Sequence, residues 1–330
     1  MKIALIGLGY WGRNYLNLID SIDDLELVAI VDPSQDFILN KNFKNICIVN
    51  NINELLSKNL ELDAAIVSSP SSTHYEITKK LISSGIHVLV EKPIALSLKQ
   101  TKELYRIAID EKVILLVDHI FLYNKSINHV NEIIKSEEFG KILHISFERT
   151  NLGPIRKDTS CLWDLTTHDI TILNSFINFE PSEIYASGFS TNDETNFDIV
   201  NISLQYKEKL FVSMFSSWLH PEKTRKIKIV GENQMIVVDD LNTIEPVKIY
   251  YKKFNQIYEK YDNNNNNSIF SFTIGNILSP YIDLKEPLKE VVLDFINRIN
   301  NGMTEYSHNS RELTIRTIDL LEKINLKLNN

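Results

Sequence analysis

One run of residues constrains this chain more than any other: Lys2-Ile3-Ala4-Leu5-Ile6-Gly7-Leu8-Gly9-Tyr10-Trp11-Gly12. A short apolar stretch breaks into three glycines spaced G-x-G-x-x-G. Such a stretch reads as a central strand of a parallel sheet, buried on both faces. Gly7 lets the chain turn sharply out of the strand, Gly9 removes a side chain where a pyrophosphate approaches the backbone, and Gly12 lets the next helix pack closely. The helix amides then face the phosphates. Taken alone, the pattern also fits a glycine-rich turn that holds no ligand.

The next run decides between these readings. Glu26-Leu27-Val28-Ala29-Ile30-Val31-Asp32 is a second strand ending on a carboxylate about 20 residues past the glycines, the place of an acceptor for adenosine ribose hydroxyls. Dinucleotide binding follows, with Gly7, Gly9, Tyr10, Trp11, Gly12 and Asp32 as cofactor-binding candidates. Asp32 also repels a 2′-phosphate, and Pro33, Ser34 and Gln35 offer no arginine to receive one, so the expected cofactor is NAD rather than NADP.

At 330 residues, 43% hydrophobic, the chain has enough apolar material for two cores. The expected domains are 1–120, a dinucleotide-binding unit, and 121–330, a substrate-binding and oligomerisation unit. A net charge of -8 argues against a nucleic-acid partner. No apolar stretch spans a bilayer and the first residues already belong to a strand, so no membrane association and a cytoplasmic location are expected. Cys47 and Cys161 are too few and too scattered for a disulfide framework or a metal site.

After Asp32, strands and helices alternate. Strands are expected at 46–49, 63–68, 86–90 and 113–117, with helices between them and capping boxes at Thr73/Glu76 and Ser97/Gln100. The first domain therefore reads as a Rossmann-type, doubly wound parallel sheet. The loop holding Ser69 and Pro70, with His74 just beyond it, leaves the carboxyl end of a parallel strand, where ligands bind in such sheets. From 121 the pattern changes to helices near 124–135 and 164–176 and strands in close succession between 142 and 251. That succession implies an α+β domain with a large, mostly antiparallel sheet. The run Asn263 to Asn267 reads as a solvated loop, and two helices, near 288–301 and 310–326, follow it.

Two groups of residues carry chemistry. Glu91-Lys92-Pro93 follows an apolar strand, and a lysine there either opens an exposed loop or sets a cation beside a reacting alcohol. Asp164 and His168 are four apart in Cys161-Leu162-Trp163-Asp164-Leu165-Thr166-Thr167-His168-Asp169, so on a helix they share a face and the carboxylate can orient the imidazole. The plainer reading makes Asp164 a helix cap and His168 a surface residue. A zinc site is not supported, since two such ligands lack a third and fourth.

Together the N-terminal G-x-G-x-x-G, the Glu-Lys-Pro after the fifth strand and the Asp-x-x-x-His helix resemble the Gfo/Idh/MocA family of nicotinamide-dependent sugar and polyol oxidoreductases. The resemblance covers nearly the whole chain. It implies a catalytic set of Lys92, Asp164 and His168, with His168 as acid/base, and a cis peptide before Pro93. It also implies Ser69, Pro70, His74, Glu91 and Lys92 at the cofactor. Arg149-Thr150-Asn151-Leu152-Gly153-Pro154-Ile155-Arg156 and Asp118-His119-Ile120-Phe121-Leu122-Tyr123-Asn124 look like the branch containing UDP-N-acetylglucosamine 3-dehydrogenases. That implies a sugar-nucleotide substrate held by Lys92, His119, Tyr123, Asn151, Arg156, Asp164 and His168, and an aminotransferase as a pathway partner. Arg149, Arg156 and Lys157 would give the acidic protein a local anion site; the alternative is surface ion pairs of little weight. The chain departs from the common pattern where Thr159-Ser160-Cys161-Leu162 replaces a glycine-rich stretch, which points away from inositol or simple glucose dehydrogenases. Other implied activities are oxidation of a free sugar or polyol, redox-neutral glycoside cleavage with retained NAD, and dinucleotide binding without catalysis. Family members commonly associate through the outer face of the second sheet, so a homodimer or homotetramer is expected.

Overall fold

Ile3, Ala4 and Leu5 are wholly buried, and the strand they form lies inside a sheet of six. The computed structural model describes residues 1–34, 45–153, 155, 159–191, 196–258, 268–302 and 308–329. In the first unit, strands β1 (Lys2–Ile6), β2 (Glu26–Val31), β3 (Cys47–Val49), β4 (Ala64–Val67), β5 (His87–Glu91) and β6 (Leu115–Asp118) are all parallel, in the order β3-β2-β1-β4-β5-β6. That is the doubly wound order expected, and its topological switch lies between β1 and β4. Helices α1 (Tyr10–Ile19), α2 (Ile52–Ser57), α3 (His74–Ile82) and α4 (Leu98–Asp110) make the crossovers. Helix α1 buries Tyr15, Leu16, Leu18 and Ile19 along one stripe.

The capping boxes are not made as expected. Thr73 ends a 3₁₀ turn, Ser71–Thr73, and its hydroxyl donates to the Pro70 carbonyl at 2.7 Å. Ser97 occupies the N-cap of α4 without a side-chain cap bond.

The second unit begins with α5 (Lys125–Ile134), capped by Asn124, whose Oδ1 accepts from Ser126 N at 2.8 Å. Strands β7 (Ile142–Leu152), β8 (Glu183–Phe189), β9 (Ile199–Gln205), β10 (Phe211–Ser217), β11 (Leu219–Gly231), β12 (Met235–Asp239), β13 (Val247–Tyr250) and β16 (Ile277–Leu278) form one sheet, in the order β16-β13-β12-β11-β7-β10-β9-β8. Helix α6 (Thr167–Phe176) lies in the same unit. Every neighbouring pair is antiparallel except β7 with β10, which run parallel. Burial alternates along β9, β10 and β12, so one face of the sheet is core and the other lies open. Strands β14 (Lys253–Tyr258) and β15 (Ser268–Thr273) pair separately as a ribbon. The asparagine run at 263–267 lies outside the described residues.

The chain does not divide into two consecutive halves. Its first compact unit is Met1–Tyr123 with Lys157–Thr159 and Glu286–Glu322; the second is Asn124–Arg156, Ser160–Lys285 and Lys323–Asn330. Helix α7 (Pro287–Asn301) and much of α8 (Arg311–Leu328) thus return to the first unit, which corrects the contiguous 1–120 and 121–330 division. Leu288, Val291, Val292, Phe295 and Ile296 join one core with Ile3, Leu5, Leu16 and Leu116, and each such side chain withdrawn from water stabilises by about 1.5–3 kcal/mol. Pro287 opens α7, and Gly302, at φ 63, closes it in the left-handed region.

Candidate functional site: a dinucleotide cradle and a buried acid cluster

Because β1 to β6 are parallel, their carboxyl ends share one edge, and the predicted cofactor residues of the first unit lie along it. Gly7 has φ 87, and a Cβ there would meet Ser69 N at 2.7 Å. A Cβ on Gly12 would stand 2.0 Å from the Gly7 carbonyl oxygen, whereas one on Gly9 would meet nothing within 4 Å. Two glycines are thus demanded by the protein's own backbone and the third leaves space. Gly9 is the N-cap of α1 and makes no side-chain cap, so the first amides of α1 point into that space. Tyr10 is 79% exposed beside it, and Trp11 is half-buried, edge-on to Tyr10 at 5.7 Å.

Asp32 stands at the end of β2 as expected, and it has a further job. Its Oδ2 accepts from Leu8 N at 2.6 Å and its Oδ1 from Ser34 N at 2.8 Å, pinning the glycine turn to the neighbouring strand. Each oxygen of its carboxylate keeps a further lone pair that can accept a hydrogen bond. An NAD molecule fits this cradle: an open Gly9, a bare helix start and a fixed carboxylate are the parts a dinucleotide needs.

The loop after β4 behaves differently. Ser69 is half-buried, its Oγ 2.7 Å from Thr73 Oγ1, and Pro70 is exposed. His74 is 1% exposed, with Nδ1 2.8 Å from the Pro93 carbonyl and Nε2 2.8 Å from the Ser69 carbonyl. Its ring bridges the loops after β4 and β5, so the reading of His74 as a cofactor contact is replaced by one in which it holds those loops together. The Lys92-Pro93 peptide is cis.

At the tips of β5 and β6 the structure assembles a cluster that the sequence reading only partly named. Glu91 and Asp118 are register partners on adjacent strands, 7% and 2% exposed. The hydroxyl of Tyr15, from α1, lies 3.2 Å from Glu91 Oε1 and hydrogen-bonds Asp118 Oδ2. Burial first, and then the Asp118 charge, hold Glu91 well above the usual carboxylate range, while the neighbouring Lys92 opposes both. Burial raises Asp118 as well. Glu91 was expected at the cofactor, and its carboxyl is turned inward instead. Lys92, the next residue, is half-buried and electrostatically coupled to Glu91, Asp118 and His119.

His119 and Tyr123 also depart from expectation. His119 is 2% exposed, its Nε2 is 3.1 Å from Thr314 Oγ1, and burial pushes it down to about 3, so it stays neutral. Tyr123 donates to Asp294 Oδ2 at 2.5 Å and accepts from Asn309 Nδ2 at 3.2 Å. Both side chains serve the docking of α7 and α8 within the first unit rather than an open substrate surface.

In the second unit, the expected helix at Asp164 begins two residues earlier and in another form. Leu162–Thr166 is a π-helical turn, continuing into α6 from Thr167. Its bonds run i to i+5, and such wide turns recur at functional sites. Asp164 lies in the wide turn and His168 in the first turn of α6, both half-buried. Asn151 sits near the end of β7, half-buried, and Arg156 lies outside the described residues. Arg149 is not an open anion contact: it is buried, with Nε and Nη2 donating to Asp169 Oδ1 at 2.9 and 2.7 Å. Asp169 has a structural role, as the buried acceptor for Arg149.

Among the described residues, no group of three or more His, Cys, Asp or Glu could hold a metal ion, and no helix is long and apolar enough to cross a membrane. Tyr15 and Asp118 were missed as site residues. The available signal was an acidic residue ending the sixth strand directly beside the one ending the fifth.

Residues 1–119 match an oxidoreductase family model with an NAD-binding Rossmann fold, and residues 127–237 match the GFO/IDH/MocA C-terminal domain. The chain belongs to the GFO/IDH/MocA family. This GFO/IDH/MocA protein is therefore an oxidoreductase, with NAD the cofactor of its first unit. It is 23% identical over 256 residues to a UDP-N-acetylglucosamine 3-dehydrogenase of Acidithiobacillus ferrooxidans, covering 76% of this chain and 77% of that protein. The solved structure of that enzyme superposes with a TM-score of 0.77 at 19% identity, over 99% of this chain and 97% of the other. GenD2 from gentamicin A biosynthesis, solved with NAD, gives 0.81 at 16% identity over 100% and 94%. The myo-inositol 2-dehydrogenase of Thermotoga maritima is 26% identical over 207 residues, 59% of this chain and 60% of that protein. At these identities the solved structures establish the fold.

Proposed function

We propose that this protein oxidises a secondary ring hydroxyl, C3, of a sugar nucleotide of the UDP-N-acetylglucosamine kind, using NAD. One observation carries the reading: the similarity to a UDP-N-acetylglucosamine 3-dehydrogenase runs through three quarters of both chains. Bound NAD supplies the hydride acceptor. Lys92, at the carboxyl edge of the parallel sheet, donates to the reacting oxygen and favours its alkoxide character. His168 takes the hydroxyl proton, and Asp164 orients its imidazole and binds the sugar. Asn151 and Arg156 complete the proposed substrate contacts.

The keto product is reactive, so an aminotransferase that captures the carbonyl is a fitting pathway partner. The open face of the large sheet carries Tyr185, Phe189 and Phe211, 56%, 58% and 39% exposed, which supports a homodimer or homotetramer through that face. Two unbridged cysteines, Cys47 and Cys161, suit a reducing compartment such as the cytoplasm.

The test is direct. Purified protein with NAD and UDP-N-acetylglucosamine should form reduced nicotinamide, and His168→Ala should lower kcat by about 10²–10⁴-fold, the usual weight of a general base. Turnover of myo-inositol but of no sugar nucleotide would favour the second reading, a free-polyol dehydrogenase, which the Thermotoga maritima similarity supports.

A further inference from the structure

The cluster at the tips of β5 and β6 has two carboxyl groups and one phenol, and the protons do not divide evenly among them. Tyr15 brings a single hydroxyl hydrogen. Its oxygen is nonetheless within hydrogen-bond reach of both Glu91 Oε1 and Asp118 Oδ2. When that hydrogen goes to Asp118, the 3.2 Å contact with Glu91 is attractive only if Glu91 is the donor. Two ionised carboxylates against one phenol, all shielded from water, would leave lone pairs opposed and a charge uncompensated.

Among the described residues, the groups acting on the pair are Tyr15 from α1 and Lys92 after β5, with His119 after β6 coupled to Lys92. Tyr15 keeps its proton, since burial and both acids raise it well above its ordinary value. His119 stays neutral and adds no second cation. Asp118 Oδ1 is buried without a hydrogen bond among the described residues, so its charge is met through space by Lys92.

From this geometry we infer that Glu91 is held as a neutral carboxylic acid donating to the Tyr15 oxygen, leaving Asp118 as the one carboxylate opposite Lys92. The five side chains then sum to zero charge: neutral Tyr15, Glu91 and His119, with Asp118 and Lys92 in balance. Glu91 is a positioning residue that acts through its neighbours. A second carboxylate would draw the ammonium inward, and the stored proton leaves it directed at the reacting oxygen. That last consequence rests on the proposed reaction; the location of the proton does not. Burial and the Asp118 charge both raise Glu91, in keeping with the assignment.

Infrared absorption of the full-length protein in heavy water, without substrate, reads the proton itself. At neutral pH the wild type should show the carbonyl stretch of a buried protonated acid, titrating away only on the alkaline side of neutrality. Glu91→Gln should abolish the band, and Asp118→Asn should lower its midpoint, because the Asp118 charge is one of the causes that raise Glu91. No such band in the wild type, or its survival in Glu91→Gln, overturns the assignment. Linkage supplies a second readout that needs no infrared signal. A carboxyl raised in the folded state holds its proton where the unfolded one has lost it, so stability falls as pH climbs from the ordinary carboxylate range to the raised value, then levels off. Glu91→Gln should flatten that slope, and an unchanged slope counts against the proposal. The Lys92 consequence is read in turnover, where an alkaline fall in kcat present in the wild type should vanish in Glu91→Gln; an identical fall in both overturns it. A wild type that forms no reduced nicotinamide from any sugar nucleotide defeats the reaction and leaves the band untouched.

Discussion

At Gly9 and Gly12 the same missing side chain does two different things, and the difference can be measured. Gly12→Ala would force a methyl group to 2.0 Å from the Gly7 carbonyl, backbone against backbone, so both thermal stability and NAD affinity should fall. Gly9→Ala meets no protein atom within 4 Å and should melt within about 0.5 kcal/mol of wild type while losing most of its affinity for NAD. Calorimetry with and without NAD separates the two, and equal loss of stability in both variants would contradict the division of labour. The glycines and Asp32 were legible because each is fixed by local spacing along one strand and one turn. His74, His119 and Tyr123 were not, since residue type reveals that a side chain can donate and accept but not which neighbour it meets. Thr314, Asp294 and Asn309, which occupy two of them, are more than 170 residues away in the chain.

The strand ends were legible to within a residue or two wherever an apolar run met a polar one, as at β5, which closes on Glu91. The parallel pairing of β7 with β10 was not, because a succession of strands does not state their order in space. Asp164 and His168 were correctly set on one helical run, but nothing in their spacing signals that the turn holding Asp164 widens into π form. Arg149 on β7 and Asp169 on α6 illustrate the energetic side of such pairings. In the sequence Arg149 fitted a local anion site or a surface ion pair, whereas with Asp169 it makes an ion pair with side chains only 6% and 3% exposed. Arg149→Met strands a buried carboxylate and should cost about 3–5 kcal/mol of unfolding free energy in urea, most of which Arg149→Met with Asp169→Leu should restore. A cost near zero for the single variant would mean that water reaches the pair.

On the scale of the whole molecule, the two architectures were legible from composition and periodicity, whereas the return of α7 to the first unit was not: an amphipathic helix advertises an apolar stripe without naming what the stripe covers. Phe295 is fully buried in the core shared with β1, so Phe295→Ala should cost about 3–5 kcal/mol and weaken NAD binding, although the residue stands far along the chain from every glycine of the cradle. Intact NAD affinity in that variant would show the cradle to be independent of α7. The re-entry of Glu286–Glu322 bears on how the protein is made. On the ribosome, the parallel sheet emerges first yet must wait, with Leu16 and Leu116 lacking the side chains of α7, until the second unit has been translated as far as Lys285. Cofactor capture is therefore a late event in biogenesis, and a nascent chain stalled midway is a client for chaperones rather than a half-finished enzyme.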